Sequence, residues 1–373
     1  MGIEELPKKM KAIQVVEYHK PYQINEIDVP RELRDDDLLV KIAVASNCHT
    51  DQMVQEGIMG TKLPCTGSHE GSGTVVAVGA AAAKRGFKEG MRVMCGIPYH
   101  PCMNCADCNN SDEGSKQYCM KLEGHKGVHI DGYFADYAVC DSRTSTPMPD
   151  EVTFRSAAPL ACAGRTVWRA VLQAGEAAEK TGKWICIVGS GGGLGHLGVQ
   201  FAKALGYKVI GVDAREEGLR LSKEYGADVI VDARKGKDAV VEEVHKVTNG
   251  EGADSTIVLS DHKDATAIGC AASKMHATLV QVAQPDDIII PFPEIIFRDI
   301  RIHGSLICSP EQSKSMMETI AKHGIKVTTV PFEGLEKIND LTELVHSGKL
   351  AGKAIIIVDP QQIEDEKKLG AKY

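Results

Sequence analysis

The sequence has no apolar run approaching the ~20 residues that cross a bilayer, no surplus of positive charge, no internal repeat and no low-complexity segment. The first absence argues against a membrane-spanning protein. The second, a net charge of −8 from 43 Lys+Arg against 51 Asp+Glu, argues against a nucleic-acid or anionic-membrane surface, which needs a basic face. It leaves room for local basic groups that hold a phosphate. Residues 1–11 carry charges of both signs and no apolar core, so no secretory signal is expected. They are neither Arg-rich nor free of acids, as a transit peptide would be. Leu6 breaks the myristoylation pattern, and Ala371-Lys372-Tyr373 is neither a retention nor a peroxisomal address. A cytoplasmic protein that binds neither nucleic acid nor membrane is expected.

What is present is ordinary in bulk and unusual in detail. A chain of 373 residues with 43% hydrophobic and 25% charged residues suits a globular protein of two domains. Twelve cysteines are many for a reducing compartment, where disulfides are not expected. They divide into buried thiols and candidate metal ligands. The first 160 or so residues read as β-rich and irregular, with short apolar runs at 12–16, 38–44 and 74–78 broken by Gly, Pro and charge. From about residue 183, apolar runs at 184–188, 209–212, 229–231, 257–259 and 278–282 alternate with helix-like stretches. That alternation implies a parallel sheet with crossover helices. Two helices are expected near 310–323 and 335–347 and a strand at 354–358, with residues 359–373 as a solvated tail.

Residues 189–195 read Gly-Ser-Gly-Gly-Gly-Leu-Gly between an expected strand and an expected helix. Leu194, Leu197, Phe201 and Leu205 share one helical face. Strand, glycine turn and helix are the context of a Rossmann dinucleotide site, in which the backbone approaches a pyrophosphate and N–H groups hold it. The strict G-x-G-x-x-G spacing is not met; Gly189, Gly192, Gly193, Leu194 and Gly195 fit a turn one residue longer. The next strand ends in Asp213, roughly 20 residues on, where an acid binds a ribose 2′-OH and repels a 2′-phosphate. This favours NAD, while Arg215 keeps NADP open.

Cys102, Cys105, Cys108 and Cys119 form a Cys-x-x-Cys-x-x-Cys run and a later fourth thiol, in a segment rich in Pro, Asn and Gly. The spacing suits four thiolates around a structural Zn²⁺; an iron–sulfur cluster is the competing reading, against which Cys119 stands too far off for the compact ferredoxin run. A dispersed set, Cys48-His49-Thr50-Asp51, His69-Glu70 and Cys162-Ala163-Gly164, falls in segments near glycines, but spacing alone does not assign it.

The order of these motifs, over about residues 10 to 358, resembles the zinc-containing medium-chain alcohol dehydrogenases, in particular their yeast-type, fungal branch. The resemblance implies an α/β chain with a GroES-like β-rich catalytic domain and a Rossmann doubly wound parallel sheet, divided as 1–163, 164–308 and a return at 309–373. It implies a zinc-dependent oxidoreductase that interconverts an alcohol and an aldehyde or ketone with NAD(H). Cys48, His69 and Cys162 would hold a catalytic zinc, a Cys₂His set long established for alcohol dehydrogenases, with Glu70 beside it as an exchangeable ligand. Asp51 would orient His69, and Thr50 would bond the substrate hydroxyl and take its proton. His49 and Lys353 would lie at the cofactor pyrophosphate and Thr166 against the nicotinamide. One catalytic and one structural zinc per subunit and a homo-oligomer, tetramer or dimer, are implied.

Two departures stand out. Met53 replaces a His that relays the proton to solvent in many relatives, and the stretch from Cys108 to Cys119 is longer than in the yeast enzymes. Met59 and Tyr99, at positions of bulky pocket walls, would admit a substrate larger than ethanol. The remaining cysteines, 65, 95, 140, 186, 270 and 308, are read as structural or surface thiols. Alternatives on the same fold are a polyol or formaldehyde dehydrogenase or a biosynthetic reductase; a zinc-free quinone reductase is disfavoured by the intact ligand set, and a non-enzymatic cofactor-binding relative is the remaining class.

Overall fold

The computed structural model describes residues 3–175 and 182–373. They form two compact units, Met1–Arg165 with Cys308–Tyr373, and Thr166–Ile307.

The second unit is a six-stranded parallel sheet. Its spatial order is Val229–Asp232, Lys208–Asp213, Trp184–Val188, Ala253–Val258, Ser273–Gln281, Arg301–Gly304. The order runs outwards from Trp184–Val188 in both directions, so the chain reverses beside that strand. Doubly wound sheets hold ligands at such a reversal, at the C-terminal ends of the strands. The central strands are apolar on both faces: Ile185, Cys186, Ile187, Val209, Ile210, Ile257 and Leu279 are all buried. The helix Gly195–Ala204 follows Trp184–Val188 after the glycine turn, and buries Leu197, Phe201 and Ala202 on its sheet-facing side.

The first unit is mostly antiparallel. Its largest sheet is built around Asp37–Ser46, which pairs with Glu70–Val78, with Tyr137–Asp141 and with Lys353–Ile357. The last of these strands belongs to the C-terminal segment: Ile355 stands opposite Ser46 and Ile357 opposite Val44. Both chain ends therefore share one core, in which Leu38, Val40, Ile42, Ile356 and Leu341 pack together. The helix Pro310–His323 has the ends its sequence demands. Ser309 and Gln312 form a reciprocal capping box, Pro310 opens the first turn, and Gly324 closes it in the left-handed region at φ 64°. The second expected helix is a 3₁₀ turn, Leu335–Lys337, running into Ile338–His346.

The tail departs from expectation. Residues 359–373 contain a helix, Pro360–Lys367, that buries Ile363 and Glu366. Glu366 pairs with Arg92 at 2.8 Å and accepts the N–H of Phe154 at 2.7 Å, and the carbonyl of Tyr373 accepts the N–H of Thr153 at 2.6 Å. Composition points to a solvated end because the tail is charged; a buried acid with a buried partner 274 residues away leaves no local trace. Removing one member of such a pair strands the other in the core, at a cost of about 3–5 kcal/mol. We predict a loss of that order for Glu366→Ala in urea unfolding and a lowered melting temperature; an unchanged midpoint would show the tail to be dispensable.

Candidate active site and metal centres

Cys48 precedes the helix His49–Gln55, which opens straight after the strand Asp37–Ser46 and Asn47. His69 precedes, and Glu70 begins, the strand Glu70–Val78, which pairs with Asp37–Ser46 so that Glu70 stands opposite Ser46. Cys162 lies in a π-helical turn, Leu160–Gly164, between the helices Phe154–Pro159 and Arg165–Gln173. Such one-turn widenings re-aim a side chain without ending the helix. These three segments bring Cys48, His69, Glu70 and Cys162 together, with one ligand atom from each lying within 4.8 Å of all the others.

Asp51 holds two of the segments. It is fully buried, accepts the N–H of Cys48 at 2.8 Å with one oxygen and that of Ser68 at 2.9 Å with the other, and stands 4.0 Å from His69 Nδ1. Ser68 adopts φ 65°, and its hydroxyl donates to the carbonyls of Ser46 and Glu70. Glu70 is clamped likewise: one oxygen accepts the N–H of Ala163 at 3.2 Å, and the other lies 2.8 Å from Lys353 Nζ. Burial pushes the Glu70 carboxyl up to about 7, against the pull of Lys353. The Cys48 thiol is held well below its usual range, chiefly by hydrogen bonding with Cys162 and also by the charge of Lys353. Both ring nitrogens of His69 are buried and have no hydrogen-bond partner among the described residues. Two thiols, an imidazole with nitrogens unspent and a carboxylate, gathered in the core, fit a zinc ion as donors.

The second cluster is Cys102, Cys105, Cys108 and Cys119, again with all sulfurs within 4.8 Å. Cys102 and Cys119 sulfurs are 3.6 Å apart. That is too long for a disulfide, and four thiolates at about 2.3 Å from one ion would stand roughly 3.8 Å apart. The N–H groups of Cys102 and Cys108 point at the sulfurs of Cys119 and Cys105, as around metal-bound thiolates. The other six cysteines are all buried. Cys95 and Cys140 sit in the core of the first unit, Cys186 and Cys270 in that of the second.

In the second unit the glycine turn is tied to the adjacent strand. Gly189, at φ 87°, and Ser190 both donate to the carbonyl of Val212. Asp213 is buried and accepts N–H bonds from Gly191 at 2.9 Å and Arg215 at 3.0 Å. Gly191 was not among the glycines singled out from the sequence. A Cβ there would meet the backbone of Gly218 at 2.0 Å, and one on Gly195 would meet the Gly189 carbonyl at 2.1 Å. Gly192 and Gly193 remain partly exposed, at the place the fingerprint assigns to a pyrophosphate. Arg215 pairs with Asp213 at 3.4 Å.

Two further expectations are revised. Lys353, read as a pyrophosphate ligand, is buried and spends its charge on Glu70. Tyr99, read as a substrate-pocket wall, is buried with its hydroxyl donating to Asp37 at 3.1 Å and its ring 4.3 Å from that of His100. His49 is exposed, Thr50 and Met53 half-buried, and Thr166 buried in the second unit.

Residues 34–150 match the family model of the alcohol dehydrogenase GroES-like domain, and residues 193–322 that of the zinc-binding dehydrogenases. An alcohol dehydrogenase of Geobacillus stearothermophilus is 32% identical over 355 residues, 94% of this chain and 100% of its own. One of Schizosaccharomyces pombe is 32% identical over 365 residues, 94% and 98% of the two chains. Among solved structures, the alcohol dehydrogenase of Aeropyrum pernix superposes with a TM-score of 0.81 at 30% identity, covering 93% of this chain and 99% of that one.

The turn geometry makes a prediction. In Gly195→Ala the new methyl must displace backbone, which costs about 1–3 kcal/mol and opens the turn. NADH titration followed by fluorescence should show weakened binding together with a lowered melting temperature; unchanged affinity would detach the turn from the cofactor.

Proposed function

The chain belongs to the zinc-containing medium-chain alcohol dehydrogenases, and from that premise we propose how its residues divide the chemistry. The protein is an oxidoreductase that interconverts an alcohol and an aldehyde or ketone by hydride transfer with NAD(H). The observation that carries the assignment is the cluster of half-buried Cys48 and Cys162 with buried His69 and Glu70, both nitrogens of His69 lacking a hydrogen-bond partner among the described residues.

Cys48, His69 and Cys162 hold the catalytic zinc, and Glu70 is a fourth, exchangeable donor. Cys102, Cys105, Cys108 and Cys119 hold a structural one. When bound, zinc supplies Lewis-acid polarisation of the alcohol or carbonyl oxygen, and NAD supplies the hydride acceptor. Asp51 keeps His69 and Cys48 in place through the two backbone bonds it accepts. Lys353 offsets the charge of Glu70, so that a carboxylate can stand beside two thiolates in the core. Thr50 bonds the substrate hydroxyl and takes its proton first. His49 meets the cofactor pyrophosphate, as do the N–H groups of Gly192, Gly193, Leu194 and Gly195. Thr166 packs against the nicotinamide, and Asp213 bonds the ribose hydroxyl in preference to a phosphate.

We read the chain as a homo-oligomer, a dimer or tetramer. Supporting this, Ile289, Phe292, Ile296 and Phe297 are exposed in the segment that leads into the edge strand Arg301–Gly304. Exposed apolar side chains beside an open strand edge favour pairing with another chain. No helix among the described residues is long and apolar enough to cross a membrane, and a cytoplasmic setting suits thiolate ligands.

Elemental analysis tests the metal assignment: two zinc ions per chain are expected. Cys48→Ala should fall to one, lose turnover and still bind NADH, whereas Cys105→Ala should fall to one with its main loss in thermal stability. Full activity and two zinc ions in Cys48→Ala would refute the assignment.

Met53 cannot carry a proton, so the last transfer to solvent uses water or another group. Met53→His adds a group that titrates near pH 6.5. A new inflection in the pH–rate profile with unchanged NADH affinity is expected; superimposable profiles would exclude this position from the relay.

A further inference from the structure

Away from the metal and glycine-turn sites, the first unit contains a pocket of about 210 Å³. Lys126, Tyr99 and Asp131 line it together with the apolar Met10, Ile27 and Ile130. It opens past Asp28 and Asp131, which are exposed. Lys126 itself is only 4% exposed. A buried ammonium ordinarily has a carboxylate against it, yet among the described residues Lys126 Nζ makes neither ion pair nor hydrogen bond. Its near neighbours are rings, with centroids 5.1 Å away for Tyr99 and 6.0 Å for Tyr133.

The backbone here is well held. Lys126 donates its N–H to Ile97 at 2.9 Å, and Gly127, at φ 69°, donates to Ile130 at 2.7 Å. The backbone of Lys126 is fixed, while its amine has no ion pair or hydrogen bond among the described residues and the side chain lines a small pocket of mixed polarity. Burial pushes the Lys126 ammonium below the usual lysine range, with Asp131 foremost among the opposing charges and Cys140, Cys65 and Asp37 behind it. Burial disfavours the charged form of such a lysine and so favours the free amine, the form that attacks a carbonyl carbon.

We propose that this pocket is a covalent binding site for small aliphatic aldehydes, captured by the Lys126 amine. The nitrogen lone pair forms the C–N bond while the carbonyl π pair moves to oxygen, which takes a proton from nitrogen to give a carbinolamine. Loss of that hydroxyl with the remaining amine proton, as water, leaves an imine. An aldehyde fits better than a ketone, because its second substituent is hydrogen and the amine is flanked by two rings. The acidic mouth, Asp28 and Asp131, favours a neutral ligand over an anion. That aldehyde is at hand rests on the proposed alcohol–aldehyde activity; the adduct itself needs neither metal nor cofactor.

The test uses the zinc-loaded full-length protein, butanal and sodium cyanoborohydride at neutral pH without NAD, followed by time-resolved peptide mass mapping. Lys126 should gain the mass of butanal less one oxygen severalfold faster than the exposed Lys62 and Lys121. Lys126→Arg should lose the fast phase and keep the slow ones. Labelling of Lys126 no faster than Lys62 and Lys121, or a fast phase that persists in Lys126→Arg, would overturn the proposal. The wild-type map decides by itself should the variant fold poorly. NADH formation from alcohols is measured separately, so loss of the activity reading and loss of this site give different results.

Discussion

Two thiolates, an imidazole and a carboxylate cannot be held together in a protein core without positive charge among them. That constraint shapes the first unit. Lys353 supplies one cation, on Glu70, and it arrives on the C-terminal strand Lys353–Ile357, which pairs with the strand leading to Cys48. A metal ion held by this set would supply the rest. The return of the chain's end to its first sheet is therefore more than a packing solution, because it delivers a charge that the ligand set needs. The tail continues the same logic, with Glu366 on Arg92.

Backbone hydrogen bonds, together with the Lys353–Glu70 ion pair, position the candidate ligands. Asp51 ties the segments of Cys48 and His69 by accepting one N–H from each side, and the turn after Cys162 donates an N–H to Glu70. The second unit is organised alike. Asp213 accepts N–H groups from the glycine turn and from the start of the next loop, so the acid proposed to bond a ribose also shapes the turn proposed to hold a pyrophosphate. In both units a buried carboxylate positions the backbone that presents the chemistry.

Much of this was legible in the sequence. The alternating apolar runs foretold the parallel strands, and the run of Trp184–Val188 was bounded correctly at both ends. The four-cysteine spacing was sufficient to mark out one thiol cluster because its members are local. The dispersed set needed family resemblance, since Cys48 and His69 are brought close by strand pairing and Cys162 by a helical turn far along the chain. The partnership of Lys353 with Glu70, the burial of Glu366 and the unpaired amine of Lys126 left no periodic or spacing signal. Each depends on contacts between residues far apart in the chain, and a lysine or glutamate in a sequence reads as solvated until its surroundings are known. Tyr99 was misread for the same reason: its position along the chain does not reveal that its hydroxyl is taken by Asp37.

The account stands or falls on a mixed-donor metal site in addition to the all-thiolate one. X-ray absorption at the zinc edge of the purified protein measures this directly. It should show sulfur scatterers at about 2.3 Å together with lighter nitrogen or oxygen scatterers at about 2.0–2.1 Å. A sulfur-only shell would mean that metal is held by the four-cysteine loop alone, and would contradict the assignment of Cys48, His69 and Cys162.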